Sequence, residues 1–328
     1  MRLPSYHYTL TMRPVMFADP KTDFVFKRIF GNEAHKHLLI ALLNDLLELD
    51  PAHRIVDLDY LPADQRVPVA ELKLSILDVK CTDARGTRYV VEMQILNVEG
   101  FEKRVVYNVC KAFVTQLRKG DEYPRLHDVV GVTLCDFHLW PEPSAGLPAV
   151  PMLSRWRMQE QHHGAVGLGQ VQYVFLELPK YAAGTHPQTV VEKWAYFFRE
   201  ADNWDVVPAE LQEAPFTEAL EGARLSSFSA GEWEAYDRAA MAEQDARGAL
   251  QLAHQLGLDT GRQAGLDEGR RAGLDEGRKQ GLQTALRVLC EVHHLSLSPE
   301  RQAQLAACTV PELEALLDTV KTTAAWPW

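Results

Sequence analysis

The sequence predicts an α/β protein: a mixed central sheet flanked by helices, followed by a mostly helical C-terminal region. Three observations predict it. Segments with apolar residues three and four apart alternate with short β-branched runs between residues 24 and 135. Two of those runs, 72–80 and 87–95, are joined by Thr82-Asp83-Ala84-Arg85-Gly86, which has the length and composition of a hairpin loop with glycine placed for positive φ. From residue 187 onward the apolar spacing is helical almost throughout.

In chain order, Asp19-Pro20-Lys21-Thr22-Asp23 offers Thr22 or Asp23 as the N-cap of a first helix beginning near Phe24, and Gly31-Asn32 ends it. A second helix is expected from His35 to Leu49 on the spacing of Leu38, Leu39, Leu42, Leu43, Leu46 and Leu47, stopped by Asp50-Pro51. Ile55 to Tyr60 reads as an opening strand and Leu61 to Pro68 as a polar loop. After the hairpin the period changes, and Phe101, Val105, Val109, Ala112, Phe113 and Leu117 mark the buried face of a helix within 98–119. His127 to Cys135 is a buried strand. Helix, strand, hairpin, helix, strand makes a compact α/β unit.

Pro141 to Pro151, with four prolines, predicts an irregular connection. Ser154 to Glu160 and Gln170 to Leu178 are expected as added edge strands. The adjacent His162-His163 between them lacks a third partner and is a poor metal motif. Helices are expected over 187–200, over 215–225 despite Gly222, and over 232–256 after an interruption at 226–231. From Gly257 to Gly281 a glycine recurs every fourth residue. That pattern fits either a long, marginal helix or a mobile tether, because each glycine costs a helix about 1 kcal/mol relative to alanine. Short helices at 285–294, 299–307 and 311–322 close the chain. The expected division is 16–200, an extension 201–256, the repeat 257–283 and a small helical piece 284–328.

At 46% hydrophobic and 24% charged the composition is that of an ordinary globular protein. No stretch approaches the roughly 18 to 20 apolar residues of a membrane span, and the N-terminal residues lack the apolar run of a signal peptide. Five widely spaced cysteines without a CxxC pair point to reduced thiols and a cytoplasmic setting. A net charge of −11 argues against indiscriminate nucleic-acid binding, which draws on Lys and Arg.

The chemistry-bearing stretch is 72–94, LKLSILDVKCTDARGTRYVVEMQ. Alternation puts Asp78 and Lys80 on one face of the first hairpin strand, and Glu92 and Gln94 on one face of the second. If the register turns those faces to the same side, two carboxylates converge as a site for Mg²⁺, a hard ion that takes carboxylate oxygens and keeps several waters. The plainer reading is a half-solvated hairpin carrying charges on its outer face. Lys27, Arg104 and Lys111 are candidate phosphate contacts, the last two seven apart and hence on nearly one side of their helix.

These residues resemble the recombination-promoting nuclease/transposase family, a branch of the PD-(D/E)XK nuclease superfamily. The resemblance runs through DPKTDFVFKRIFG (19–31), ILDVKCTDARGTRYVVEMQ (76–94), FEKRVVYNVCKAF (101–113), FLELPKY (175–181), EKWAYFF (192–198) and the glycine-rich tail. It implies a restriction-endonuclease-like core, Mg²⁺-dependent DNA cleavage with Mn²⁺ as a possible substitute, and a role in recombination. Asp78 matches the first metal-binding acid and Glu92 the second, with the Met93 carbonyl as a further ligand; Gln94 stands where the superfamily usually has lysine. Lys80 is then the candidate for the missing ammonium, with Lys80 or Gln94 positioning the water. The competing expectation is a catalytically inactive, nuclease-like interaction module, or a homo-oligomer organised by the glycine-repeat tail.

Overall fold

The computed structural model describes residues 16–62, 78–141, 148–165 and 167–327. The start of the predicted first hairpin strand (72–77) and most of the predicted 61–68 loop lie outside them. Six strands, β1 (Leu58–Tyr60), β2 (Val79–Asp83), β3 (Arg88–Gln94), β4 (Val129–Cys135), β5 (Leu153–Arg157) and β6 (Val171–Glu177), form one sheet in the order β1-β2-β3-β4-β6-β5. β3, β4 and β6 run parallel to one another, and every other pairing is antiparallel. Among the described residues eight α-helices accompany it: α1 (Asp23–Phe30), α2 (Lys36–Leu46), α3 (Phe101–Val114), α4 (Val190–Glu200), α5 (Phe216–Ala223), α6 (Ala230–Val292), α7 (Pro299–Ala307) and α8 (Val310–Thr323). The expected mixed sheet with flanking helices and a helical C-terminal region is what the chain forms.

The hairpin forms around Asp83. Its carboxylate accepts hydrogen bonds from the Arg85 and Thr87 amides at 2.9 and 3.0 Å and from the Tyr89 hydroxyl at 3.0 Å. Gly86 takes the left-handed backbone (φ 87°) that the sequence reserved for it. β3 then leaves through α3 and returns as β4. A helix crossover of this kind is how two strands become parallel neighbours.

Alternation along the strands sorts the core into two layers. Val79, Cys81, Val91, Met93, Val132, Leu134 and Leu176 pack with Phe26, Ile29 and Phe30 of α1, the leucines of α2, and Trp194, Phe197 and Phe198 of α4. The opposite face packs on α3 and the segment after β4: Val90 and Val129 against Val109 and Ala112, and Cys135 and Phe175 against Phe101, Val105 and Leu139. α3 lies so close to β4 that a Cβ on Gly131 would sit 2.5 Å from a Val109 methyl.

One expectation fails. The segment 170–178 was expected at an edge, but β6 is interior, between β4 and β5. Its nearly continuous apolar run, with Val174, Phe175 and Leu176 buried, is the pattern of a strand covered on both faces.

The chain divides into two compact units, Met1–Asp245 and Ala246–Trp328. α6 begins in the first, earlier than expected, because Ser229 and Glu232 cap it reciprocally: the Ser229 amide donates to Glu232 at 2.8 Å and the Glu232 amide to the Ser229 hydroxyl at 3.4 Å. The glycine repeat is helical and continuous with both its neighbours, so the predicted helix at 285–294 is the end of α6 rather than a separate element. In the second unit that end packs with α7 and α8 through Leu286, Leu305, Leu313, Leu316 and Val320.

Candidate active site

The β2–β3 register pairs Val79 with Val91 and Lys80 with Val90. Continued by one residue, it sets Asp78 opposite Glu92, and directly opposed residues on antiparallel strands share a face. The sharing of a face expected from alternation is therefore present at the end of the hairpin. Asp78 lies just before β2, and its Oδ2 accepts the Met93 amide at 2.7 Å, a bond in line with the strand's own ladder. The N–H and C=O of a strand residue point to the same edge, so the Met93 carbonyl also faces this side.

Asp78 is bordered by α1. Lys27 Nζ lies 3.7 Å from Asp78 Oδ1 and 2.5 Å from Asp23 Oδ1. Burial raises the Asp78 carboxyl to about 7, opposed by the Met93 amide and assisted by the nearby Asp23 carboxylate. Burial also raises Glu92, which is 8% exposed; the Asn108 amide, donating to Oε1 at 2.7 Å, and the Arg104 charge pull it down again. Sequence reasoning passed over Asn108 altogether, whereas the acids near Lys27 were readable as neighbours of the cleft, Asp23 lying four residues from Lys27 on one helix.

Beside β3, the helix α3 runs back along the strand with a matched step. Arg104 Nη2 donates to Gln94 Oε1 at 2.5 Å, and Asn108 reaches Glu92. Four helical residues rise about 6.0 Å and two strand residues about 6.6 Å, so successive pairs stay in step. The next step down brings Ala112 into the cluster with Val90.

That stepping locates the cations. Lys80 does share the face of Asp78, yet it sits opposite Val90, one step below Glu92. It is 7% exposed, and its ammonium is depressed by burial and by the neighbouring charges of Arg88 and Lys111. Lys111, expected as a phosphate contact, is buried at 5% exposed with its ammonium 5.6 Å from the Tyr107 ring centre. Arg104 is the exposed cation of the pair. Lys27 and Arg28 of α1, with Arg238 of α6, line an open cleft of about 600 Å³ that also contains Asp23.

Among the described residues no three His, Cys, Asp or Glu side chains are grouped to hold a metal ion by themselves. Two carboxylates do fit a divalent cation that keeps most of its water. Both are held from the charged state by burial, which a nearby double positive charge would reverse. One family, described as PD-(D/E)XK nuclease family transposase, matches residues 20–253. No curated protein and no solved structure matches the chain.

Proposed function

We propose, from the premise that this chain belongs to the PD-(D/E)XK nuclease family transposases, that it is a Mg²⁺-dependent DNA endonuclease. The observation that carries the reading is the placement of Asp78 in register with Glu92 at the open end of the β2–β3 hairpin. Membership of a nuclease family supplies the reaction class; these two acids supply a location for it.

Asp78 and Glu92 would hold the ion, with the Met93 carbonyl as a third protein ligand. Mg²⁺ there supplies Lewis acidity and lowers the pKa of water near the scissile phosphate. The chain's own residues do the rest. The Met93 amide and Lys27 fix the Asp78 carboxylate from two directions. The Asn108 amide fixes that of Glu92. Hydrolysis forms one bond from the water oxygen to phosphorus and breaks one ester bond on the opposite side. The water gives up a proton and the departing alkoxide gains one, so the charge that must be stabilised in between lies on the phosphoryl oxygens. Lys27, on the cleft beside the site, would meet a DNA phosphate, whereas Arg28 is engaged by Glu232 and Ser227.

Five cysteines without a disulfide suit a reducing compartment such as the cytoplasm, and no described helix is long and apolar enough to cross a membrane.

The test is a cleavage assay on supercoiled and linear DNA across Mg²⁺, Mn²⁺ and Ca²⁺. Asp78→Ala and Glu92→Ala are each expected to abolish metal-dependent cleavage while leaving the protein folded. Cleavage undiminished in either variant would remove the site. Wild-type protein inert with every ion would leave the inactive, DNA-binding or interaction module as the reading.

A further inference from the structure

The superfamily position that carries a lysine holds Gln94 here, and a neutral amide cannot balance charge developing on a phosphoryl group. The structure brings a cation to that amide from another element. Gln94 follows Glu92 by two residues and so lies on the same face of β3. Gly100, in the left-handed region at φ 76°, turns the chain into α3 within six residues of Gln94. Arg104 lies one turn into α3, and its Nη2 donates to Gln94 Oε1 at 2.5 Å. The Gln94 amide is itself fixed, its Nε2 donating to the Leu96 carbonyl at 2.8 Å. The Arg104 guanidinium also rests 5.2 Å from the Phe101 ring centre, which limits its swing.

We infer that Arg104, held by Gln94, supplies beside Asp78 and Glu92 the positive charge that the strand itself lacks, with the scissile phosphate as its ligand. The inference rests on the nuclease reading above. In this arrangement Gln94 is a positioning residue and Arg104 the group that meets the phosphate. The division follows from donor chemistry. A guanidinium has five N–H donors in a planar fork, and one of them is used on Gln94, leaving others for phosphoryl oxygens. A lysine at position 94 would spend its single charge from the strand directly.

Lys80, the other candidate for the role, is excluded by its surroundings. It lies one step down the strand from Glu92, opposite Val90, and is buried among groups that include the like charges of Arg88 and Lys111. Arg104, by contrast, is close enough to Glu92 for its charge to act on that carboxylate.

The decisive experiment exchanges the two positions. Arg104→Met is expected to lower cleavage about 100-fold or more, the size of losing one aimed transition-state donor. Gln94→Lys in the Arg104→Met background is expected to restore it to within about tenfold of wild type, by returning the cation to the strand. Two readouts do not depend on turnover. Ca²⁺ affinity by calorimetry should be unchanged in Arg104→Met and lost in Asp78→Ala. In the metal-free protein the Arg104 Nη signals should be resolved by ¹⁵N NMR and coalesce in Gln94→Leu, where the anchor is gone.

Full cleavage by Arg104→Met would overturn the inference while the loss in Asp78→Ala left the nuclease reading standing. So would an inert wild type that Gln94→Lys activates, loss of Ca²⁺ binding in Arg104→Met, or a guanidinium spectrum indifferent to Gln94→Leu. Cleavage retained in Asp78→Ala, in contrast, would strike the nuclease reading itself.

Discussion

The Asp78 carboxyl is raised from 3.8 to about 7, chiefly by burial, with the Met93 amide opposing and Asp23 assisting. A carboxyl that binds its proton more tightly when folded stabilises the folded state while protonated. That contribution is complete below the unfolded value near 3.8 and is lost as pH rises through about 7. At about 1.4 kcal/mol per pKa unit it amounts to a few kcal/mol. Metal-free protein is therefore expected to lose stability between about pH 4 and 7 at this site, and Asp78→Asn to flatten that slope in thermal unfolding with chelator present. Mg²⁺ should act in the opposite sense, raising the midpoint most at the alkaline end, where the carboxylate is ionised. An Asp78→Asn protein that kept the wild-type slope would place the titrating group elsewhere. That Asp78 shares a strand face with Lys80, and Glu92 with Gln94, was legible from alternation, whereas the register that sets Asp78 opposite Glu92 was not. The neighbours of the two acids were less legible. Lys80 is on the predicted face, but where a long flexible side chain ends depends on the helix packed over it. Asn108 was invisible because an amide in the middle of an amphipathic helix carries no signal until the strand beneath it is known.

At the scale of elements, one of the segments that carry the family resemblance is a structural joint. In FLELPKY, Glu177 is fully buried at the end of β6 and accepts the Leu139 and Trp140 amides at 2.7 and 3.1 Å. It also accepts Lys180 Nζ at 2.6 Å. It thereby ties the β4 exit to the β6 exit. Removing this carboxylate would leave two backbone donors without their acceptor and the Lys180 ammonium with the Val150 carbonyl but no counter-charge from Glu177, a mechanism that costs about 3–5 kcal/mol. Glu177→Ala is expected to lower the unfolding free energy, measured by denaturant titration, by that much without changing Ca²⁺ stoichiometry; a change of less than about 1 kcal/mol would mean that water replaces the acid freely. β4 was readable as a buried run, β3 as one arm of a hairpin and β6 as a strand, whereas their order in the sheet was not. The edge placement expected for 170–178 failed because sequence proximity to the irregular 141–151 segment says nothing about which strand a returning chain joins.

For the molecule as a whole, the question left by the sequence was whether the glycine repeat is a tether or a helix, and α6 runs through it without a break. Its stability has to come from elsewhere, since seven glycines in 257–281 at about 1 kcal/mol each weaken a helix substantially. Side-chain bonds such as Gln280 to Glu276 at 2.9 Å return only tenths. The larger support is at the C-terminal end, where Leu286 is locked among Leu305, Leu313 and Leu316 and Arg278 bonds Glu314. A Cβ added at any repeat glycine from Gly257 to Gly281 meets nothing within 4 Å. Alanine therefore fits the chain at every one of them. Replacing Gly261, Gly265, Gly269, Gly273 and Gly277 together with alanine is expected to raise the full chain's helical melting transition, by up to about 5 kcal/mol of helix stability. Circular dichroism on the full chain measures the transition, and light scattering measures the mass beside it. A transition that fell instead, together with a lower mass, would establish that the bare row is kept clear for the backbone of a second copy, as close-packed small residues allow between helices.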